Sequence, residues 1–98
     1  MISKELQNRI RDTMTDSLAI LLATTAEECN ELSKECCKAI RKSECFETNK
    51  QRIFEEFCDV LVMLVGIQAF YGFSEREINT QIEKTCTRYE FYKTMERA

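Results

Sequence analysis

The sequence predicts an all-α fold, and three observations carry that prediction. No proline interrupts the chain and there are only two glycines, so it lacks the punctuation that strands and tight turns need. Apolar residues recur at three and four positions instead of alternating. Two stretches, Thr48-Asn49-Lys50-Gln51 and Ser74-Glu75-Arg76-Glu77, have the composition of capping boxes. The 98 residues suffice for one domain, residues 1–98, with a modest core. The expected architecture is an antiparallel bundle of about four helices, completed by oligomerisation.

The elements follow in chain order. Leu6 and Ile10 lie four apart and predict a first helix from Ser3 to about Arg11. The polar cluster DTMTDS, Asp12 to Ser17, supplies several N-cap residues and predicts a break. A long second helix follows to about Arg41, with Leu18, Leu21, Thr25, Cys29, Leu32, Cys36 and Ala39 as its buried stripe. Lys42 to Glu47 reads as the connector. The third helix is expected to open with the Thr48–Gln51 capping box and to stop at Gly72, a residue at ease in the left-handed C-terminal conformation. Its middle is apolar on nearly every side: Phe57, Val60, Leu61, Leu64, Val65 and Ile67 face more directions than one neighbour can cover. A symmetric dimer is the commonest solution to such a surplus. The second capping box starts the fourth helix, striped by Ile78, Ile82, Cys86 and Tyr89.

Composition narrows the function. The net charge is −3 and no basic cluster is present, which argues against gripping a nucleic-acid polymer. The longest uncharged segment, Val60 to Ser74, contains Gln68 and falls short of the roughly 18 residues a membrane span needs. The N-terminus, MISKELQNRIR, lacks the apolar stretch of a secretory signal, so a cytoplasmic, soluble protein is expected. The six cysteines (Cys29, Cys36, Cys37, Cys45, Cys58 and Cys86) form no CxxC pair and read as reduced structural thiols. The absence of histidine removes the commonest general base and the Glu-x-x-His element of di-iron bundles.

Acidic residues carry the candidate chemistry. Glu28 and Glu31 are three apart and project from one face of the second helix, and Glu56 and Asp59 repeat that spacing on the third. Between the pairs lie 24 residues, Leu32 to Glu55, enough to finish one helix, turn and enter an antiparallel partner at the same level. Spacing alone decides nothing. With 17 acids in 98 residues, about three such pairs arise by chance, and three occur, the third being Glu44 and Glu47 in the connector. Position separates the helical pairs from that one: Glu28 lies between Thr25 and Leu32 on the stripe, and Asp59 follows Phe57 and Cys58 at the mouth of the uncharged run. An unpaired carboxylate near a core is unfavourable unless it is neutralised, paired or bound to a metal. The pattern leaves two readings open, a shared cation site and a merely acidic pair of helices. A cation held by hard oxygens without thiolate or imidazole would be Mg²⁺, with Mn²⁺ a possible substitute, and Mg²⁺ commonly shares itself with substrate phosphates. Glu27 and Glu35 read as surface acids, with a role as outer ligands of the cation the lesser alternative.

AEECNEL followed by EEFCDVLVML resembles the MazG-like family of all-α nucleoside triphosphate pyrophosphohydrolases, whose signature is E-x-x-E on one helix and E-x-x-D on the next. The resemblance covers about Leu18 to Arg88. It implies Mg²⁺-dependent hydrolysis of a (d)NTP substrate to the (d)NMP and pyrophosphate, as in house-cleaning of nucleotide pools. It implies Glu28, Glu31, Glu56 and Asp59 as the metal-binding and catalytic carboxylates, and assembly into a homodimer or homotetramer. It also points to basic residues of the last helix, Lys84 and Arg88, as phosphate contacts. The alternative is a non-catalytic helical interaction or regulatory module that keeps the fold, and a weaker one is a cysteine-based redox or zinc protein.

Overall fold

A computed structural model describes residues 2–14, 16–41 and 46–97. They form four α-helices and no strand: α1 (Lys4–Thr13), α2 (Leu18–Arg41), α3 (Phe46–Tyr71) and α4 (Glu75–Arg97). The all-α prediction holds. No helix among the described residues is long and apolar enough to cross a membrane.

Local chemistry accounts for most helix ends. Ser3 caps α1 by accepting the Leu6 amide on its hydroxyl at 3.2 Å. Within the polar cluster, Ser17 does the same for α2, accepting the Ile20 amide at 3.3 Å. α3 stops at Gly72, whose φ of 72° lies in the left-handed region. There the amides of Gly72 and Phe73 both donate to the Gln68 carbonyl, at 2.9 and 3.1 Å. The capping box of α4 is reciprocal, with Ser74 Oγ accepting from the Glu77 amide at 3.1 Å and Glu77 Oε2 accepting from the Ser74 amide at 3.0 Å.

The other capping box is not one. α3 already begins at Phe46, so Thr48–Gln51 lies inside the helix. Gln51 donates forward to Glu55 Oε1 at 3.2 Å, and Asn49 reaches across to α2. A box motif caps only where the chain is free to leave the helix, and here the preceding residues continue it. The rest of the predicted connector, Lys42–Cys45, lies outside the described residues, and Cys45 and Glu44 with it.

α2 and α3 pack antiparallel as the central pair, and α1 lies against α3. The stripe of α2 differs from the predicted one. Leu21, Glu35 and Ala39 are buried and Leu18, Thr25, Glu28 and Leu32 half-buried, whereas Cys29 and Cys36 are exposed. The seam follows a seven-residue repeat, and at both disputed positions the glutamate, one residue earlier, occupies it. The expectations that Glu35 is a surface acid and that Cys29 and Cys36 fill the core are therefore corrected. The five described cysteines are free; only Cys58 is more than superficially covered. At the far end of the pair, buried Gly66 lets Met14 and Leu21 approach α3 closely.

α4 is the outlier. Among the described residues it packs against none of the other helices, and Ile82, Tyr89, Phe91, Tyr92 and Met95 are each at least half exposed. Where it leaves α3 it opens a crevice walled by Leu61, Leu64, Val65, Phe73 and Ile78. The radius of gyration is 16.3 Å, against about 13 Å for a compact chain of this length.

Candidate metal centre

The register of α2 on α3 assembles the site. At one level Glu35 of α2 meets Asn49 of α3, at 3.2 Å. Seven residues back on α2 is Glu28, and seven forward on α3 is Glu56. Two turns of each antiparallel helix thus bring the second pair face to face. Asp59 follows Glu56 by one turn on the same side of α3. One carboxylate oxygen from each of Glu28, Glu56 and Asp59 lies within 4.8 Å of the other two. Glu28 and Glu56 are half-buried and Asp59 is exposed. The expectation of an aspartate tucked toward the core is corrected: the two glutamates face the helix seam and Asp59 closes the group from solvent.

Two of these three carboxylates hold their protons more tightly. Partial burial, then the charge of Asp59, then that of Glu56 raise the Glu28 pKa above its ordinary value, and a hydrogen bond with Asp59 and the charge of Glu31 add to this. Glu56 is raised too, by loss of solvent first and then by Asp59, Glu31 and Glu35. Among the described residues, no ion pair forms with Glu28, Glu56 or Asp59.

Glu31, the fourth predicted ligand, stands beside this group and not in it. Its side chain is half exposed and accepts from Lys34 Nζ at 3.2 Å. Its charge still reaches both Glu28 and Glu56. Lys84 and Arg88 are exposed on α4, and α4 makes no contact with α2, so one chain does not bring them to the acids. Arg88 instead lies 5.6 Å from the centre of the Tyr89 ring. Glu27 is exposed, as expected. Glu35 is buried at 6% exposure and accepts from Lys38 Nζ and Asn49 Nδ2, both at 3.2 Å. Sequence reasoning missed this pair, although Leu21, Glu28 and Glu35 recur at seven residues and Asn49 stands seven before Glu56.

The donor set suits a small hard cation. Mg²⁺ takes six oxygens at about 2.0–2.1 Å, so opposite ligands lie about 4 Å apart. Adjacent ligands of such an ion lie about 3 Å apart, so carboxylates within 4.8 Å of one another would draw together to hold it. The group is all carboxylate, and among the described residues no thiol joins it. A hard cation would leave several coordination positions to water or to substrate oxygens.

No protein-family model, curated protein or solved structure matches this chain.

Proposed function

We propose that this protein is a Mg²⁺-dependent nucleoside triphosphate pyrophosphohydrolase of the MazG-like kind, cleaving (d)NTP to (d)NMP and pyrophosphate. The observation that carries the reading is the convergence of Glu28, Glu56 and Asp59 from two antiparallel helices, with raised proton affinity at both glutamates. Groups that bind protons too tightly for lack of a counter-charge are groups that a divalent ion relieves.

Glu28, Glu56 and Asp59 would hold the ion, which when bound supplies charge neutralisation to the triphosphate oxygens. Glu31 lies one turn from Glu28 and outside the three-carboxylate group, so it is the carboxylate left to orient the attacking water and take up its proton. Turning to that task requires releasing Lys34, an exposed contact that is easily given up. Attack at the α-phosphorus breaks the α–β bridge, and pyrophosphate leaves.

The working form is an oligomer. The chain buries few apolar side chains, with Leu21 and Ala39 the fully buried ones among the described residues, while α4 exposes a row of aromatic and aliphatic groups. A second copy laid on α4 covers that row, and Lys84 and Arg88 then reach triphosphate across the subunit boundary. Sedimentation at micromolar concentration tests this, and a pure monomer contradicts it.

Incubation with a panel of NTPs and dNTPs plus Mg²⁺, read as pyrophosphate release, tests the activity. No turnover of any nucleotide at high protein concentration removes the enzyme reading. The same exposed α4 favours a second reading, a helical interaction module without catalysis. Calorimetry with Mg²⁺ and a non-hydrolysable nucleotide separates the two, since a module without a nucleotide site gives no heat.

A further inference from the structure

We infer that buried Glu35 and half-buried Asn49 form a register lock: two positioning residues that help select the alignment of α2 on α3 in which Glu28 meets Glu56. Along the apolar surface of α3, the described feature that marks a level is the notch at Gly66 against Leu21 and Met14, at the far end of the pair from Glu35. Val60, Leu61, Val62, Met63, Val65 and Ile67 are all half-buried, so α3 offers similar grease on most sides and at several levels. Its run from Val60 to Phe73 carries no charge. The α2 seam advances by alternating steps of three and four residues, so a one-turn slide keeps the same face of α2 against α3. The short connector, residues 42–45, limits such slippage only as far as helix ends resist winding or fraying by a turn.

A directed hydrogen bond does select. Asn49 Nδ2 donates to Glu35 Oε2 at 3.2 Å, and Lys38 Nζ takes the other oxygen at 3.2 Å. Sliding one turn moves the partners about 5.4 Å and strands Glu35, which is 6% exposed, without its cross-helix donor. The same slide parts Glu28 from Glu56 and Asp59, whose oxygens now fit within 4.8 Å. A buried carboxylate and amide stabilise less than well-packed leucines would, and fixing register is the best-attested use of such a pair.

The test compares wild type, Glu35→Gln and the double variant Glu35→Leu/Asn49→Leu by three measurements. These are melting temperature, the amide NMR spectrum of the metal-free protein, and Mn²⁺ affinity by titration. Wild type is expected to give one set of α2 and α3 resonances. The double-leucine variant is expected to melt no lower, yet to show duplicated or exchange-broadened α2 and α3 resonances and at least about tenfold weaker Mn²⁺ binding. Glu35→Gln keeps an oxygen for Asn49 and should resemble wild type in both spectrum and affinity. A single resonance set in the double-leucine variant overturns the lock. So does unfolding of that variant, which would make the pair an ordinary stabilising contact. Glu35→Gln behaving like the leucine variant overturns it as well, since charge and not the directed bond would then matter. The Mn²⁺ comparison rests on the proposed function, but the spectra do not: wild type binding no ion sinks that function and leaves the lock to be judged on its resonances.

Discussion

Gly66→Ala sets two known effects against each other at the junction of three helices. In the middle of a helix, alanine is favoured over glycine by about 1 kcal/mol. Here the added Cβ would stand 2.8 Å from Met14 Sδ, 3.1 Å from Met14 Cγ and 3.3 Å from Leu21 Cδ1. The first distance is shorter than real contacts allow, and Leu21, at 1% exposure, is the most buried side chain described and has no room to retreat. Overpacking typically costs about 1–3 kcal/mol. Methionine is flexible and yields at the low end of that range, but Met14 is held at the end of α1, so yielding loosens α1 from α3. With that loosening the clash costs about 2 kcal/mol, the middle of the range, against about 1 kcal/mol gained, a net loss of about 1 kcal/mol or about 4–8 °C in Tm for a domain of this size. Thermal melts followed by circular dichroism measure it. Met14→Ala in the same background should recover part of the loss, because the two changes share one contact and are not additive. A Gly66→Ala protein that melts higher than wild type by the full propensity gain refutes the reasoning, since Met14 would then be loosely seated and the junction not close-packed.

The remaining expectations concern the carboxylates and thiols. Glu56→Gln and Asp59→Asn should each abolish Mg²⁺-dependent pyrophosphate release, yet leave the metal-free Tm at pH 7 equal to or above wild type, because a repulsive charge is removed; a large fall in Tm would mark a structural ion pair instead. Glu28 and Glu56 both have raised pKa values when folded. Their contribution to stability is therefore fully present below the ordinary carboxylate pKa and is lost as pH rises through the raised values. The Tm of metal-free protein should fall between about pH 4.3 and neutrality, and saturating Mg²⁺ should lessen that fall; a Tm that climbs over the interval without metal contradicts the cluster's electrostatics. Glu31→Gln should weaken Mn²⁺ binding far less than Glu28→Gln, since Glu31 stands outside the three-carboxylate group, while still lowering turnover. Cys36→Ser and Cys37→Ser alter exposed side chains and should leave turnover unchanged; inactivity of either would reveal a role for its thiol.

Much of the candidate site was legible because its signal is local. The i,i+3 pairs and the chain length between them follow from helical geometry alone, and they locate Glu28, Glu56 and Asp59. Glu31 shows where that logic ends. Spacing puts it on the face of Glu28, but Lys34, three residues on, competes for it, and only the settled side chain shows which partner it takes. Glu35 was misjudged for a related reason. Acidic residues are usually exposed, and this one is satisfied by local Lys38 together with Asn49, 14 positions away.

What the sequence by itself determined is what short-range forces determine: four helices, the glycine stop of α3 and the reciprocal cap of α4. Each rests on hydrogen bonds or dihedral preferences spanning five residues or fewer. The tertiary structure alone decided which side of α2 is inside. The cysteines and the glutamates beside them differ by one position, about 100° around a helix, and apolar periodicity favoured the cysteines. Glu35 lies on the seam where α3 meets it with Asn49, and the same register carries Glu28, seven residues away, to Glu56 and Asp59. Tertiary structure likewise left α4 unpacked, for its stripe reads as amphipathic whether or not this chain supplies a surface to cover it. A helix records in its own sequence that it has an apolar face; it does not record what that face meets.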